Sequence, residues 1–254
     1  MQDVSELSLQ AAGRFEFKYR ISSFQYHAIR NAITPYMRPD PYTAQSSGGR
    51  GYLVRSLYYE TDDFDIYAEK MAGDNARVKY RLRTYERTAQ DAKAIRVEMK
   101  VRSGESLFKH HVFVPFPAYE YFVQHRQWPD TAVNAVQEEF ARGINLVDLK
   151  PSVLVDYERE GYASRFGEDV RITFDQNVRS AQAITLFPSD PPFFRVHHAY
   201  EVVLEIKFRL SPPEWLNDLV MAYGLRRVAN SKFTQGIEAG RRDRHYPNGV
   251  LVVR

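Results

Sequence analysis

Polar and apolar residues alternate without a break over residues 14–21, in the run RFEFKYRI. Successive side chains of a β-strand point to opposite faces, so this period predicts a strand with one charged and one apolar face. Further strands are read at 52–60 (YLVRSLYYE), 76–86, 94–102, 106–114, 152–162, 169–179 and 200–209. Ser103-Gly104-Glu105 supplies a hairpin turn between 94–102 and 106–114. Helical patterning fills the spaces between strands. Ser22 and Gln25 form a capping box for a helix over 22–37, which Pro39 and Pro41 stop. A short helical or turn segment runs up to Asp74, and 115–141 is helical with a break near Pro129. Ser211 as N-cap, Pro212 in the first turn and Glu214 open another helix, which Gly224 ends. A last helix covers 234–243, and residues 43–51 and 186–194 are loops. These elements predict one domain over 14–254 behind an N-terminal tail, 1–13. It holds about eight or nine mostly antiparallel strands with peripheral helices.

The charged faces set this chain apart. One face of 76–86 carries Arg77, Lys79, Arg81 and Arg83. Its counterparts are Arg14, Glu16, Lys18 and Arg20; Arg96, Glu98, Lys100 and Arg102; Arg171, Thr173, Asp175, Asn177 and Arg179; and Glu205, Lys207 and Arg209. Two arrangements accommodate such strands. A sandwich turns its charges to solvent. A closed barrel turns them inward and covers its apolar faces with helices. An unpaired buried ion costs several kcal/mol, so the interior of such a barrel must hold water and an anion. Arginine dominates these faces, and each carboxylate of Glu16/Lys18, Glu98/Lys100 and Glu205/Lys207 stands two residues before a lysine. Three such E-x-K copies favour the barrel and suggest a divalent metal bridging to phosphate oxygens.

Composition narrows the partners. A net charge of +3 gives no general affinity for nucleic acid, and no stacking platform or basic recognition helix points to one. The absence of cysteine excludes disulfides and thiolate chemistry. No apolar run reaches the length of a membrane span, and residues 1–13 do not read as a signal peptide. A cytoplasmic protein without membrane insertion is expected. His110-His111 and His197-His198 point to opposite faces if they lie on strands, which argues against a shared ion. P-loop, G-x-S-x-G and H-E-x-x-H patterns are absent.

The ordered segments RFEFKY (14–19), SLYYET (56–61), VKYRLRTY (78–85), VEMKVR (97–102), PSVLVDYEREGY (151–162), RITFDQNV (171–178), LEIKF (204–208) and SKF (231–233) span nearly the whole chain. In this set the chain resembles the VTC-type polyphosphate polymerase domain, a CYTH-like branch of the triphosphate tunnel metalloenzymes. The resemblance implies an α+β fold in which eight mostly antiparallel strands close into a barrel, the triphosphate tunnel, with peripheral helices. It implies transfer of the ATP γ-phosphate to a growing inorganic polyphosphate chain. Carried over by motif, Arg81, Arg83, Lys100, Arg159, Arg171 and Lys232 are the catalytic positions. Lys18, Lys207 and Ser231 are substrate-binding positions, and Lys79 joins them through its place on the cationic face. Glu205 is the implied ligand of Mn²⁺ or Mg²⁺, with Glu16 and Glu98 as further metal candidates from the E-x-K pattern.

Hydrolytic relatives carry E-x-E-x-K on the first strand. Here the segment is Arg14-Phe15-Glu16-Phe17-Lys18, which favours the VTC branch. A metal-dependent triphosphate hydrolase and a non-catalytic polyphosphate-binding module remain the alternatives. VTC domains of eukaryotes work beside membrane-spanning subunits, so a membrane-protein partner is a further expectation.

Overall fold

The structure is a computed structural model that describes residues 14–49, 51–104, 106–129 and 133–245. The expected tail, 1–13, and Glu105 of the hairpin turn lie outside the described residues. The strands are β1 (Arg14–Ser22), β2 (Met37–Pro39), β3 (Tyr52–Glu60), β4 (Ala76–Thr84), β5 (Ala94–Ser103) and β6 (Ser106–Pro115). They continue with β7 (Lys150–Ser164), β8 (Val170–Gln182), β9 (Arg195–Val196) and β10 (Glu201–Arg209). The helices are α1 (Ser23–Ala32), α2 (Pro41–Gln45), α3 (Asp65–Ala72), α4 (Phe116–His125), α5 (Ala135–Leu146), α6 (Glu214–Ala222) and α7 (Lys232–His245).

Hydrogen-bonded strands follow the order β1-β10-β8-β7-β3-β4-β5-β6, with β2 on β7 and β9 on β8. The path ends at β1 and β6, and no pairing joins these two strands among the described residues. The expected closed barrel is therefore corrected to an open sheet with peripheral helices. Alternation fixes which side chains share a face. Closure depends instead on strand tilt and on the register between the end strands, which no single strand encodes.

Local chemistry accounts for the other differences. Helix α1 has the expected Ser22–Gln25 capping box but ends at Ala32, and Met37–Pro39 pairs with β7. Pro39 disfavours helical backbone before it, which suits a short edge strand. Within the expected loop 43–51, Asp40 accepts from the Thr43 amide and Pro41 opens α2; a 3₁₀ turn follows at Ser47–Gly49. Asp followed by Pro is a helix start. Helix α6 starts after Pro213 with no side-chain cap, not from Ser211. Pro213 keeps residue 212 out of the helical region and delays the start.

The chain forms two compact units. The first takes the described chain up to Leu53, then Tyr157–Val178 and His198–Asn230. Its core joins the apolar faces of β1, β8 and β10 to α1 and α6, through Tyr19, Ile172, Phe174, Leu204, Ile29 and Leu216. Removing one such side chain from water contributes about 1.5–3 kcal/mol. Tyr36 stacks on Trp215 at 4.5 Å between ring centroids.

The second unit takes Val54–Asp156, Arg179–His197 and the chain from Ser231 on. Here α5 packs on β5 and β6, burying Ile95, Val97, Phe140 and Ile144. Phe122 stacks on Trp128 at 4.1 Å, and Phe140 meets Tyr59 edge-on at 5.6 Å. At Gly143 a Cβ would collide with the Tyr80 ring, so α5 approaches β4 this closely only with glycine there. In both units the apolar face of the sheet is covered, and the charged face supplies the candidate site.

Candidate phosphate-binding faces

Antiparallel pairing in the second unit lines up the charged residues of neighbouring strands. Lys79 of β4 stands opposite Lys100 of β5, which stands opposite Lys109 of β6. Next to this row, Tyr58, Arg81, Glu98 and His111 align across β3 to β6. One step further, Ser56, Arg83 and Arg96 align across β3 to β5. Directly opposed like charges destabilise a sheet.

Glu98 lies at the centre of these cations and is 1% exposed. Arg81 donates through Nε to its Oε2, while Arg96 Nε and Lys109 Nζ lie 2.9 and 3.0 Å from its Oε1. Arg83 Nη1 is 3.9 Å from Oε2. Burial works against the charged carboxylate, but Arg81, Arg83, Lys109 and Arg96 outweigh it and hold its pKa far below the usual range. Burial also pulls the Lys109 ammonium down to about 7; Arg81, Arg96 and Arg83 add to the pull and Glu98 opposes it. Arg81 also donates to the Tyr58 hydroxyl at 2.9 Å, and Arg83 Nε to Ser56 Oγ at 2.9 Å. Burial raises the Tyr58 phenol, but Arg81, Arg83 and Lys232 prevail and lower it. Lys79 donates to Ser231 Oγ at 3.4 Å and lies 4.6 Å from the centre of the Phe233 ring. Ser231 precedes α7, where its Oγ also accepts from the Thr234 amide at 3.4 Å. Lys232 opens that helix.

In the first unit β1 and β10 pair Glu16 with Lys207 and Lys18 with Glu205. Lys18 Nζ is 2.9 Å from Glu16 Oε1 and donates to the Asn230 carbonyl at 3.1 Å. Lys207 Nζ is 3.0 Å from Glu205 Oε1 and 3.7 Å from Glu16 Oε2. Arg159 donates its fork to Asp175 at 2.6 and 2.7 Å, and its Nη2 reaches Glu205 at 3.4 Å. Asp175, which is fully buried, thus orients an arginine. Burial raises Glu205, but Lys207, Arg159 and Lys18 overcome it and hold the carboxyl well below the carboxylate range. Burial lowers Lys18, yet Glu205 and Glu16 leave its pKa above the ordinary value. Arg171, half-exposed, pairs with Asp40 at 2.9 Å.

The metal candidates separate on this geometry. Mg²⁺-type ions keep several waters and take one or two carboxylates together with substrate phosphates. Glu16 and Glu205 meet around Lys207, and the buried Thr173 hydroxyl opposite Glu205 has no hydrogen-bond partner among the described residues. These two carboxylates are the donors such an ion would find here, in competition with Lys18, Lys207 and Arg159, which already pair with them. Glu98 does not fit, because four cations surround its carboxylate. Among the described residues, no three His, Asp or Glu side chains gather around a common point.

The first unit thus brings together Glu16, Lys18, Arg159, Glu205 and Lys207 from the sequence-derived set, and places Arg171 on Asp40. The second brings together Arg81, Arg83 and Glu98, and Lys79 with Ser231, and aligns Lys100 with Lys79. Lys109 escaped the sequence reading although its signal was present. The hairpin that pairs Ser103 with Ser106 also sets residue 109 against residue 100. Arg96 and Tyr58 also join the cluster.

The chain falls in the CYTH-like triphosphate-tunnel superfamily. The profile of the VTC domain matches residues 13–240, and the chain belongs to that family. It is 26% identical over 226 residues to vacuolar transporter chaperone complex subunit 4 of Schizosaccharomyces pombe, a match covering 72% of this chain. The chain spans 31% of that relative's length. A candidate adenylate cyclase of Bacillus halodurans superposes with a TM-score of 0.51 at 13% identity, covering 86% of this chain and 95% of its own. That likeness concerns the fold alone. A candidate adenylate cyclase of Vibrio parahaemolyticus gives a TM-score of 0.48 at 11% identity, over 88% of this chain and 97% of its own. Among the described residues, no helix is long and apolar enough to cross a membrane.

Proposed function

We propose that the chain is an ATP-dependent polyphosphate polymerase that moves the ATP γ-phosphate onto a growing inorganic polyphosphate chain. The observation that carries this reading is the in-register row Lys79, Lys100 and Lys109 beside the Arg81, Arg83 and Arg96 cluster. A row of like charges across three strands suits a linear polyanion with a charge on every unit. Phosphoryl transfer needs positioning and charge neutralisation more than covalent help. Arginine forks bind phosphate oxygens two at a time and stay charged. Arg81 and Arg83 hold nucleotide phosphates in this scheme, and Lys79, Lys100, Ser231 and Lys232 guide the acceptor.

In the first unit Lys18, Lys207 and Arg171 bind phosphate oxygens, and Arg159, fixed by Asp175, orients Glu205. Glu205 with Glu16 would hold Mn²⁺ or Mg²⁺, which when bound neutralises phosphate charge. A terminal phosphate oxygen of the acceptor attacks the γ-phosphorus. The bond to the β–γ bridging oxygen breaks and ADP leaves with that electron pair. The nucleophile is already an anion, so no general base is required.

The test is incubation of the purified chain with ATP and Mn²⁺, with gel detection of polyphosphate and orthophosphate in parallel. Polyphosphate lost on Arg81→Ala or Arg83→Ala is the expected result. Orthophosphate without chains would instead establish a triphosphate hydrolase. Phosphate binding without nucleotide consumption would establish a binding module. Unchanged chain synthesis by Glu205→Ala overturns the metal assignment.

A further inference from the structure

Among the described residues, Glu98 is the one carboxylate placed within the Arg81, Arg83, Arg96 and Lys109 cluster. The polyanion reading gives it no task, and its surroundings exclude a metal. We propose that Glu98 is a specificity-determining residue: a built-in anion that makes this face reject short phosphates in favour of long ones. The inference rests on the reading of the face as a polyphosphate site.

The cations that would grip a phosphate already share this carboxylate, through the Nε of Arg81, the Nε of Arg96 and Lys109 Nζ. Four positive charges and one negative leave the cluster at about +3 with all groups ionised. Any phosphate bound there meets the repulsion of Glu98 at short range, in a partly desolvated setting where charges are poorly screened. Orthophosphate contacts this cluster alone and takes the whole penalty. A longer chain can lie largely along the adjoining row of Lys79 and Lys100, where the aligned residues include no carboxylate, and so takes only part of that penalty. The internal anion therefore costs a short ligand more binding free energy than a long one. Specificity of this kind arises from a repulsive element as much as from attractive ones.

Titration calorimetry of orthophosphate, pyrophosphate and tripolyphosphate, at fixed pH and salt and without divalent metal, tests the assignment. In Glu98→Gln the affinity for orthophosphate and pyrophosphate is expected to rise about tenfold, and that for tripolyphosphate less than about threefold. An equal change for all three, or a general loss with unchanged melting temperature, overturns the proposal and makes Glu98 a support for the arginines. Should Glu98→Gln not fold, Glu98→Asp serves, since it keeps the charge but draws it back by one methylene. The ratio of long to short affinity should then fall part of the way, and an unchanged ratio overturns the proposal. Native protein that binds none of the three phosphates refutes the polyphosphate reading itself. Native protein that binds all three, with a ratio that no Glu98 variant moves, refutes only the role of Glu98.

Discussion

The ion pair of Arg159 and Asp175 gives the sharpest stability prediction. Asp175 is fully buried and the Arg159 side chain is 13% exposed, joined by two bonds of 2.6 and 2.7 Å. Asp175→Leu leaves the guanidinium with Glu205, at 3.4 Å, as its carboxylate partner and with the face of the Tyr157 ring. Stranding a buried charge costs about 3–5 kcal/mol. For a chain of this size each kcal/mol lowers the melting temperature by roughly 2–4 °C, so a fall of roughly 6–20 °C is expected. The double variant Asp175→Leu with Arg159→Met removes both charges and substitutes apolar side chains of similar size. Such replacements are often neutral or better, and Glu205 keeps Lys207 at 3.0 Å. The double variant should therefore melt above the single one. Calorimetry or circular dichroism on the native protein, both single variants and the double variant completes the cycle. A single variant within about 1 kcal/mol of native, or a double variant at the sum of the two singles, refutes the reasoning.

Lys100→Met relieves the like-charge row, so it should stabilise the fold by about 0.2–1 kcal/mol while weakening tripolyphosphate binding; urea unfolding and calorimetry check the two halves, and loss of both would make Lys100 structural. Lys109 has a pKa of about 7 in the fold, below its unfolded value near 10.4, so the unfolded chain binds the extra proton between these values. Its contribution to stability therefore rises with pH over that window, and Lys109→Met should flatten this part of the urea-midpoint profile. Glu98 and Glu205 are depressed, so the stability they give is present above about pH 4.5 and is lost as the pH falls further. Glu98→Gln should lessen the acid sensitivity of the melting temperature. Gly161→Ala drives a Cβ into the Asp40 carboxyl, which caps α2 and pairs with Arg171; a loss of about 1–3 kcal/mol in thermal unfolding is expected.

Strands were legible because their period is local. The apolar and aromatic residues of 52–60 fix β3 at both ends, and β5 and β6 fall within one residue of the expected bounds. The helix at Asp40-Pro41 was missed, because Pro41 read as the stop of α1 and the small polar run after it as loop. The three E-x-K copies show where a single strand stops informing. In the sequence Glu16, Glu98 and Glu205 look alike, each two residues before a lysine. In the sheet their fates are set by the strands beside them. Glu16 and Glu205 come from two strands whose register crosses each carboxylate with the other strand's lysine. Glu98 comes from β5, flanked by Arg81 on one side and by the Lys109–His111 stretch on the other. A carboxylate's chemistry depends on the charges within a few ångströms, and across a sheet those belong to other strands. Register arithmetic on the β5–β6 hairpin supplies one of those neighbours from sequence, Lys109. The other, Arg81, follows only once β4 is paired with β5 across a longer connection, where the loop does not fix the register. The division of the acidic residues into metal candidates and an internal counter-ion is thus a property of pairing, not of motif.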